Sequence, residues 1–203
     1  MNLYAILLAV KSFFIGALPW FIFLFAIYIV ARIIFLFRKR PLKIIWMREI
    51  GYALLCLYII FILSSTVLPE VATHNGINIY YPGGGFGTSH MSGEYLNLIP
   101  GNIFMGLAHS FKFYNGFTLW ISMSGNIMLF FPFGFLFSLL YNPSIKVNLL
   151  VGSIFSLLIE LYQLFLARAT DVDDVILNTM GMLLGCLLAR LTLRLKHKKH
   201  KTQ

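Results

Sequence analysis

The stretch "ARATDVDDVILNTMGMLLG", residues 167–185, runs from a charged turn straight into a segment apolar enough to cross a bilayer. It contains Arg168, Asp171, Asp173 and Asp174, although the whole chain has only seven acidic residues. A fourth carboxylate, Glu160, lies a few residues upstream inside another apolar run. Because ionisable side chains are costly in hydrocarbon and mark function there, this concentration predicts a polar site where two membrane-spanning helices meet.

The composition places the chain among integral membrane proteins. Of its 203 residues, 59% are hydrophobic and 11% are charged, whereas soluble domains are roughly 45–50% apolar and about 25% charged. A transmembrane helix needs roughly 20 apolar residues, so five or six spans would leave little room for a separate soluble domain. We therefore predict an all-α fold, a polytopic transmembrane helical bundle of about five spans.

The apolar runs give the positions of these spans. Residues 3–17 are also apolar but carry Lys11, and Pro19 separates them from the first run. They are expected to form an interfacial or kinked helical lead-in, and a separate sixth crossing stays open. The predicted spans cover residues 18–37, 50–68, 118–141, 147–167 and 175–193.

The distribution of the +9 net charge predicts the orientation. Basic residues beside apolar spans mark cytoplasmic loops, so we expect a multi-pass protein of the cell membrane with its N-terminus outside and its C-terminus inside. The acidic turn at 168–174 then faces outward. This pattern indicates contact with membrane lipid and no nucleic-acid partner. The basic residues cluster in two groups, Arg38, Lys39, Arg40, Lys43 and Arg48, and Arg190, Arg194, Lys196, Lys198, Lys199 and Lys201.

The fourth span carries a polar stripe on an otherwise bulky apolar helix. Ser153, Ser156, Glu160 and Gln163 recur at steps of three and four residues and therefore share one face. A carboxylate at this depth predicts a functional role with a partner. That partner is expected to be Arg168 or a water-filled cleft.

The fifth span shows a matching face. Asp174, Asn178, Gly181 and Gly185 lie along it, and the two glycines form a GxxxG motif that permits close backbone approach. The aspartates before this helix suit its N-terminal dipole and can cap its free amides. An alternative interpretation stays open, in which Gln163, Asn178 and Asn126 of the third span only form interhelical hydrogen bonds and the aspartates only cap.

No cofactor or metal is expected. The segment "PGGGFGT", residues 82–88, lacks the GK[ST] of a phosphate-binding loop. His74, His90 and His109 fall on the predicted outer side, but no zinc-ligand spacing supports a metal site.

Four motifs, in this order, resemble the VanZ-like membrane family: "NLIP" (97–100), "NIMLFFPFG" (126–134), "IELYQ" (159–163) and "RATDVDDVILNTMGMLLG" (168–185). The resemblance covers about residues 95–190, with one departure at Gly101, where the family usually has a bulky apolar residue. It divides the chain into an N-terminal transmembrane region (1–68), an extracytoplasmic loop (69–94), the VanZ-like domain (95–193) and a basic cytoplasmic tail (194–203).

The resemblance implies reduced susceptibility to teicoplanin and related lipoglycopeptides. It suggests a polar cleft at the outer leaflet that receives the head of a lipid-anchored ligand, either a lipoglycopeptide or a cell-wall precursor. The residues expected to form this cleft are Asn97, Asn126, Glu160, Gln163, Arg168, Asp171, Asp173, Asp174 and Asn178.

Three classes of function compete for these residues. A non-enzymatic envelope protein that binds or displaces a lipid-anchored ligand is favoured. An enzyme acting on lipid-linked envelope substrates would use Glu160 or an aspartate as general base, but the chain has no nucleophile or metal signature. A proton-coupled transporter would use Glu160 as its proton carrier, but the chain shows no inverted repeat.

Overall fold

Five long helices make up most of the described chain. The computed structural model describes residues 3–38, 45–72, 78–80, 96–101, 116–165 and 170–201. Each helix is long and apolar enough to cross a membrane, which confirms the predicted number of spans. The helices are α1 (Leu3–Arg38), α2 (Trp46–Thr66), α3 (Gly116–Tyr141), α4 (Ile145–Phe165) and α5 (Val172–Lys201).

The first helix is longer than the predicted first span. It continues through Pro19 over 36 residues, so residues 3–17 extend the first helix and do not form a separate one. A proline inside a helix removes one backbone hydrogen bond, a loss that transmembrane helices tolerate.

Two short β-ladders accompany the helices. β1 (Glu70–Ala72) pairs antiparallel with β2 (Asn78–Tyr80), and β3 (Leu96–Asn97) pairs parallel with β4 (Thr170–Asp171). Strands of two or three residues are too short to give a periodic pattern, and the sequence did not predict them. The second ladder joins the "NLIP" segment to the acidic turn.

The described elements divide into two compact units, the first containing α1, α2, β1 and β2. In this unit the guanidinium of Arg32 on α1 holds both carboxylate oxygens of Glu49 on α2, at 2.6 and 2.7 Å. The same guanidinium lies 4.4 Å from the ring centre of Tyr52. Bidentate pairing and cation–π contact both favour arginine at this position.

The second unit contains β3, α3, α4, β4 and α5, and glycines bring two of its helices into close contact. A Cβ atom added at Gly181 would collide with the carbonyl oxygen of Ile127, and one added at Gly185 with that of Phe131. Gly134 on α3 is equally tight against the backbone of α5. The close approach predicted for the GxxxG motif is therefore confirmed, and α3 is the helix that it contacts.

The predicted polar stripe of α4 faces inward. Ser156, Glu160 and Gln163 are buried, whereas the intervening Leu157 and Leu161 are exposed. In a soluble protein a surface helix buries its apolar face and exposes its polar face. The pattern is reversed in α4 because the exposed surface of a membrane protein faces lipid. This burial points the polar groups of α4 toward the interior of the second unit.

Candidate functional site: a polar cluster at the start of the last helix

The N-terminus of α5 is capped by its own acidic turn. Asp171 precedes the helix, and its Oδ1 accepts the backbone N–H of Asp173 at 2.8 Å. Asp173 and Asp174 occupy the first turn, where the helix dipole favours negative charge. Capping by a side-chain oxygen satisfies one of the amides that lack a helical partner, so the capping function predicted for this turn is confirmed for Asp171.

The "NLIP" segment docks on this cap. Asn97 pairs with Asp171 through the parallel ladder, and its Nδ2 donates a 3.0 Å hydrogen bond to Oδ1 of Asp171. The Oδ1 of Asn97 accepts the backbone N–H of Ile99 at 3.2 Å. The side chain of Asn97 therefore stabilises the turn in which it lies and links that turn to the start of α5.

Gly101 completes this docking with its backbone. Its N–H donates a 2.5 Å hydrogen bond to Oδ1 of Asp173, whose side chain is fully buried. The φ angle of Gly101 is 86°, a left-handed conformation that glycine adopts without steric cost. The one departure from the family motif therefore has a physical reason in this chain, because a bulky residue would be strained at that angle.

Glu160 reaches the same cap from α4. Its Oε2 accepts the backbone N–H of Asp171 at 3.3 Å, and the residue is only 4% exposed. In a capping box, a Glu in the first turn of the same helix accepts the N-cap amide. Here a carboxylate from a neighbouring helix fills that position, so Glu160 helps to fix the start of α5.

Asn126 brings α3 into the cluster. Its Nδ2 donates a short hydrogen bond to Oδ1 of Asp174. Both residues are partly exposed. Three separate segments, the "NLIP" turn, α3 and α4, thus contact consecutive parts of one acidic turn. We call this set the polar cluster, defined as Asn97, Gly101, Asn126, Glu160, Asp171, Asp173 and Asp174.

Two further polar contacts join α4 to α5 beside the polar cluster, about one turn further along α5. Asn178 donates a 2.8 Å hydrogen bond to Oγ of Ser156, and the hydroxyls of Ser153 and Thr179 share a bond of 3.1 Å. The predicted interhelical role of Asn178 is confirmed. The Oδ1 of Asn178 is buried without a hydrogen-bond partner among the described residues. Gln163 is buried on the same side of α4.

Several predicted positions lie outside the described residues. Arg168 is among them, as are His74, His90 and His109 and the segment at 82–88. Within the ranges that the structure describes, no three His, Cys, Asp or Glu side chains are grouped to hold a metal ion.

Sequence reasoning missed two groups of polar contacts. The first is the backbone amide of Gly101. Glycine has no side chain that would mark it as a polar contact in the sequence, so only the structure shows its hydrogen bond. At the other end of the second unit, the buried Asn148 donates to Oγ of Ser138 at 2.6 Å, and Arg190 donates to the carbonyl of Pro143 at 2.6 Å. Single polar residues inside apolar runs were the available signal for these contacts.

Comparison with known proteins identifies a family. A family model described as VanZ/LLP1 matches residues 49–193, more than half of the chain. No curated protein and no solved structure matches. The matched region contains every residue of the polar cluster.

Proposed function

The chain belongs to the VanZ/LLP1 family, and from this premise we propose that it lowers susceptibility to lipoglycopeptides such as teicoplanin. It acts without catalysis, by engaging the polar head of a lipid-anchored ligand at the outer leaflet of the cell membrane. The observation that carries this proposal is the polar cluster itself, in which carboxylates and amides from distant segments meet at one end of the spans.

The residues of the polar cluster divide by exposure into two roles. Asp173 is fully buried and Glu160 is 4% exposed, so these two support the arrangement from within. Asn97, Asn126, Asp171 and Asp174 are partly exposed. We call these four the polar mouth, and they are the groups that a ligand head would contact.

The chemistry of the polar mouth favours a particular kind of head group. Two carboxylates attract ligands that donate N–H or O–H groups or carry an ammonium, since hydrogen bonds to ionised groups are the stronger ones. The same charges repel a phosphate. The amino and hydroxyl groups of a glycopeptide therefore suit the polar mouth better than the diphosphate of a cell-wall precursor.

Apolar surface beside the polar mouth suits an acyl chain. Leu98 and Ile99, in the turn that Asn97 organises, are 66% and 62% exposed. Each buried CH₂ contributes about 0.8 kcal/mol. An acylated ligand would thus be held both by its tail in the membrane and by its head at the polar mouth.

Drug susceptibility tests the proposal. Expression of the chain should protect more against teicoplanin than against vancomycin, which lacks the acyl tail. Asp174→Asn should weaken this preference because it removes a charge from the polar mouth. Arg168→Ala should weaken it too, because the sequence predicts Arg168 in the same cleft. The side-chain oxygen of Asn can still accept the hydrogen bond from Asn126, so Asp174→Asn removes the charge with little effect on folding.

A matched control is Lys196→Gln, which removes an exposed charge near the other end of α5 and should leave the preference intact. Equal protection against both antibiotics, unaffected by Asp174→Asn and Arg168→Ala, would contradict the proposed site.

A further inference from the structure

A polar pocket lies at the end of the second unit opposite the polar cluster. It has a volume of about 480 Å³ and is formed by the turn between α3 and α4 and by the last turns of the α5 span. Arg190, which lines it, is 16 residues beyond Asp174 of the polar cluster, roughly 24 Å along the helix axis. The pocket is therefore separate from the polar mouth, and nothing in the proposed function uses it.

Arg190 lines this pocket and carries one buried donor without a partner among the described residues. One of its terminal nitrogens donates a 2.6 Å hydrogen bond to the carbonyl of Pro143, which fixes the guanidinium beside the turn. Its Nε is buried and has no hydrogen-bond partner among the described residues. A buried charged donor without an acceptor is unfavourable, and an anion bound beside this guanidinium would offset part of that cost.

The remaining lining is cationic and polar on one side and apolar on the other. Arg194 contributes a second guanidinium one turn after Arg190, and Asn142 and Ser144 contribute polar groups. No carboxylate is among the described residues that line the pocket, while Leu139 and Leu193 form its apolar side.

The start of α4 adds to the positive potential. The Oγ of Ser144 accepts the N–H of Val147 at 3.2 Å, so Ser144 caps this 21-residue helix. The N-terminal end of a helix dipole attracts anions. Two guanidinium groups and a helix N-terminus thus contribute positive potential to one open pocket.

We propose that this pocket binds a phosphate group, supplied by the head group of an anionic membrane lipid. The guanidinium fork matches phosphate oxygens, and the pocket lies at the end of the spans, where lipid phosphates are found. Leucines on its apolar side and the exposed Leu191 and Leu195 of α5 offer surface for the acyl chains of the same lipid.

Binding to the detergent-solubilised full chain tests this assignment and its source of phosphate. Dioctanoyl phosphatidylglycerol should raise the thermal unfolding midpoint with saturation, and dioctanoyl glycerol, which lacks the phosphate, should not. Glycerol 3-phosphate, which carries the phosphate without acyl chains, tests whether a soluble phosphate compound binds as well. A response to the lipid alone identifies a lipid head group as the source, and a response to both identifies the phosphate group as sufficient. An equal response to dioctanoyl glycerol, or none to either phosphate compound, overturns the proposal.

Two variants connect that response to the pocket. Arg194→Gln removes an exposed guanidinium that lines the pocket. It should weaken phosphatidylglycerol binding about fivefold, as expected for a partly solvated ion pair. Lys196→Gln removes one positive charge from the same helix outside the pocket lining, and its effect should be much smaller. Equal effects of the two variants would mean that lipid charge is attracted nonspecifically, which also overturns the proposal.

Discussion

The backbone amide of Gly101 donates its hydrogen bond to the buried carboxylate of Asp173, 72 residues further along the chain. The bond closes the "NLIP" turn onto the first turn of α5, and it requires a left-handed backbone at Gly101. A glycine without a side-chain function is thus a structural part of the polar cluster.

Replacing Gly101 should therefore destabilise the second unit. Gly101→Ala should lower the free energy of unfolding by about 1–2 kcal/mol, because an L-residue is strained in the left-handed region. Unfolding of the detergent-solubilised protein by increasing SDS measures this change. Gly125→Ala in α3 is the control, since an added Cβ there meets nothing within 4 Å and alanine favours helix. Equal losses in both variants would contradict the conformational argument.

The contact between α3 and α5 should depend on the absence of a side chain at Gly181. Gly181→Ala pushes a methyl group against the backbone carbonyl of Ile127, and overpacking of this kind costs about 1–3 kcal/mol. Gly152→Ala is the matched control, because the nearest atom to its added Cβ is the flexible Sδ of Met182, at 2.9 Å. SDS unfolding should show a larger loss for Gly181→Ala, and the reverse order would argue against close backbone packing.

Glu160 has a structural contact that can be separated from its charge. In Glu160→Gln the side-chain oxygen can still accept the N–H of Asp171, so protein abundance should hold. Protection against teicoplanin should fall if the charge or the proton of Glu160 is required. Glu160→Ala leaves the Asp171 amide without this acceptor and should cost about 1–3 kcal/mol, with lower abundance. Unchanged protection by Glu160→Gln at equal abundance would assign Glu160 to the support of α5 alone.

The orientation of the spans stays a prediction, with the N-terminus outside and the C-terminus inside. Reporter fusions after Lys43, Pro143 and Lys199 should report from the cytoplasm because the basic clusters are retained there. Fusions after Gly84 and Ala169 should report from outside. An Ala169 fusion that reports from the cytoplasm would contradict a polar mouth at the outer leaflet.

Properties that depend on near neighbours could be predicted from the sequence alone. The five spans follow from apolar runs of about 20 residues, and the inward face of α4 follows from the spacing of Ser156, Glu160 and Gln163. The cap at Asp171 is equally local, since a helix start is set by the residues beside it. The difference at Pro19 arises because a proline removes only one backbone hydrogen bond, a loss that a transmembrane helix tolerates.

Contacts between distant segments were decided only by the tertiary structure. No local pattern pairs Asn97 with Asp171, directs the amide of Gly101 to Asp173, or leaves the Nε of Arg190 buried at the opposite end of the unit. Such contacts depend on which helix faces can approach closely, and that is set by glycines on α3 and α5 together. The sequence by itself therefore determined which segments span the membrane and which faces are polar. Packing determined which of those polar groups meet, because hydrogen bonds across a fold form only where backbones are brought within reach.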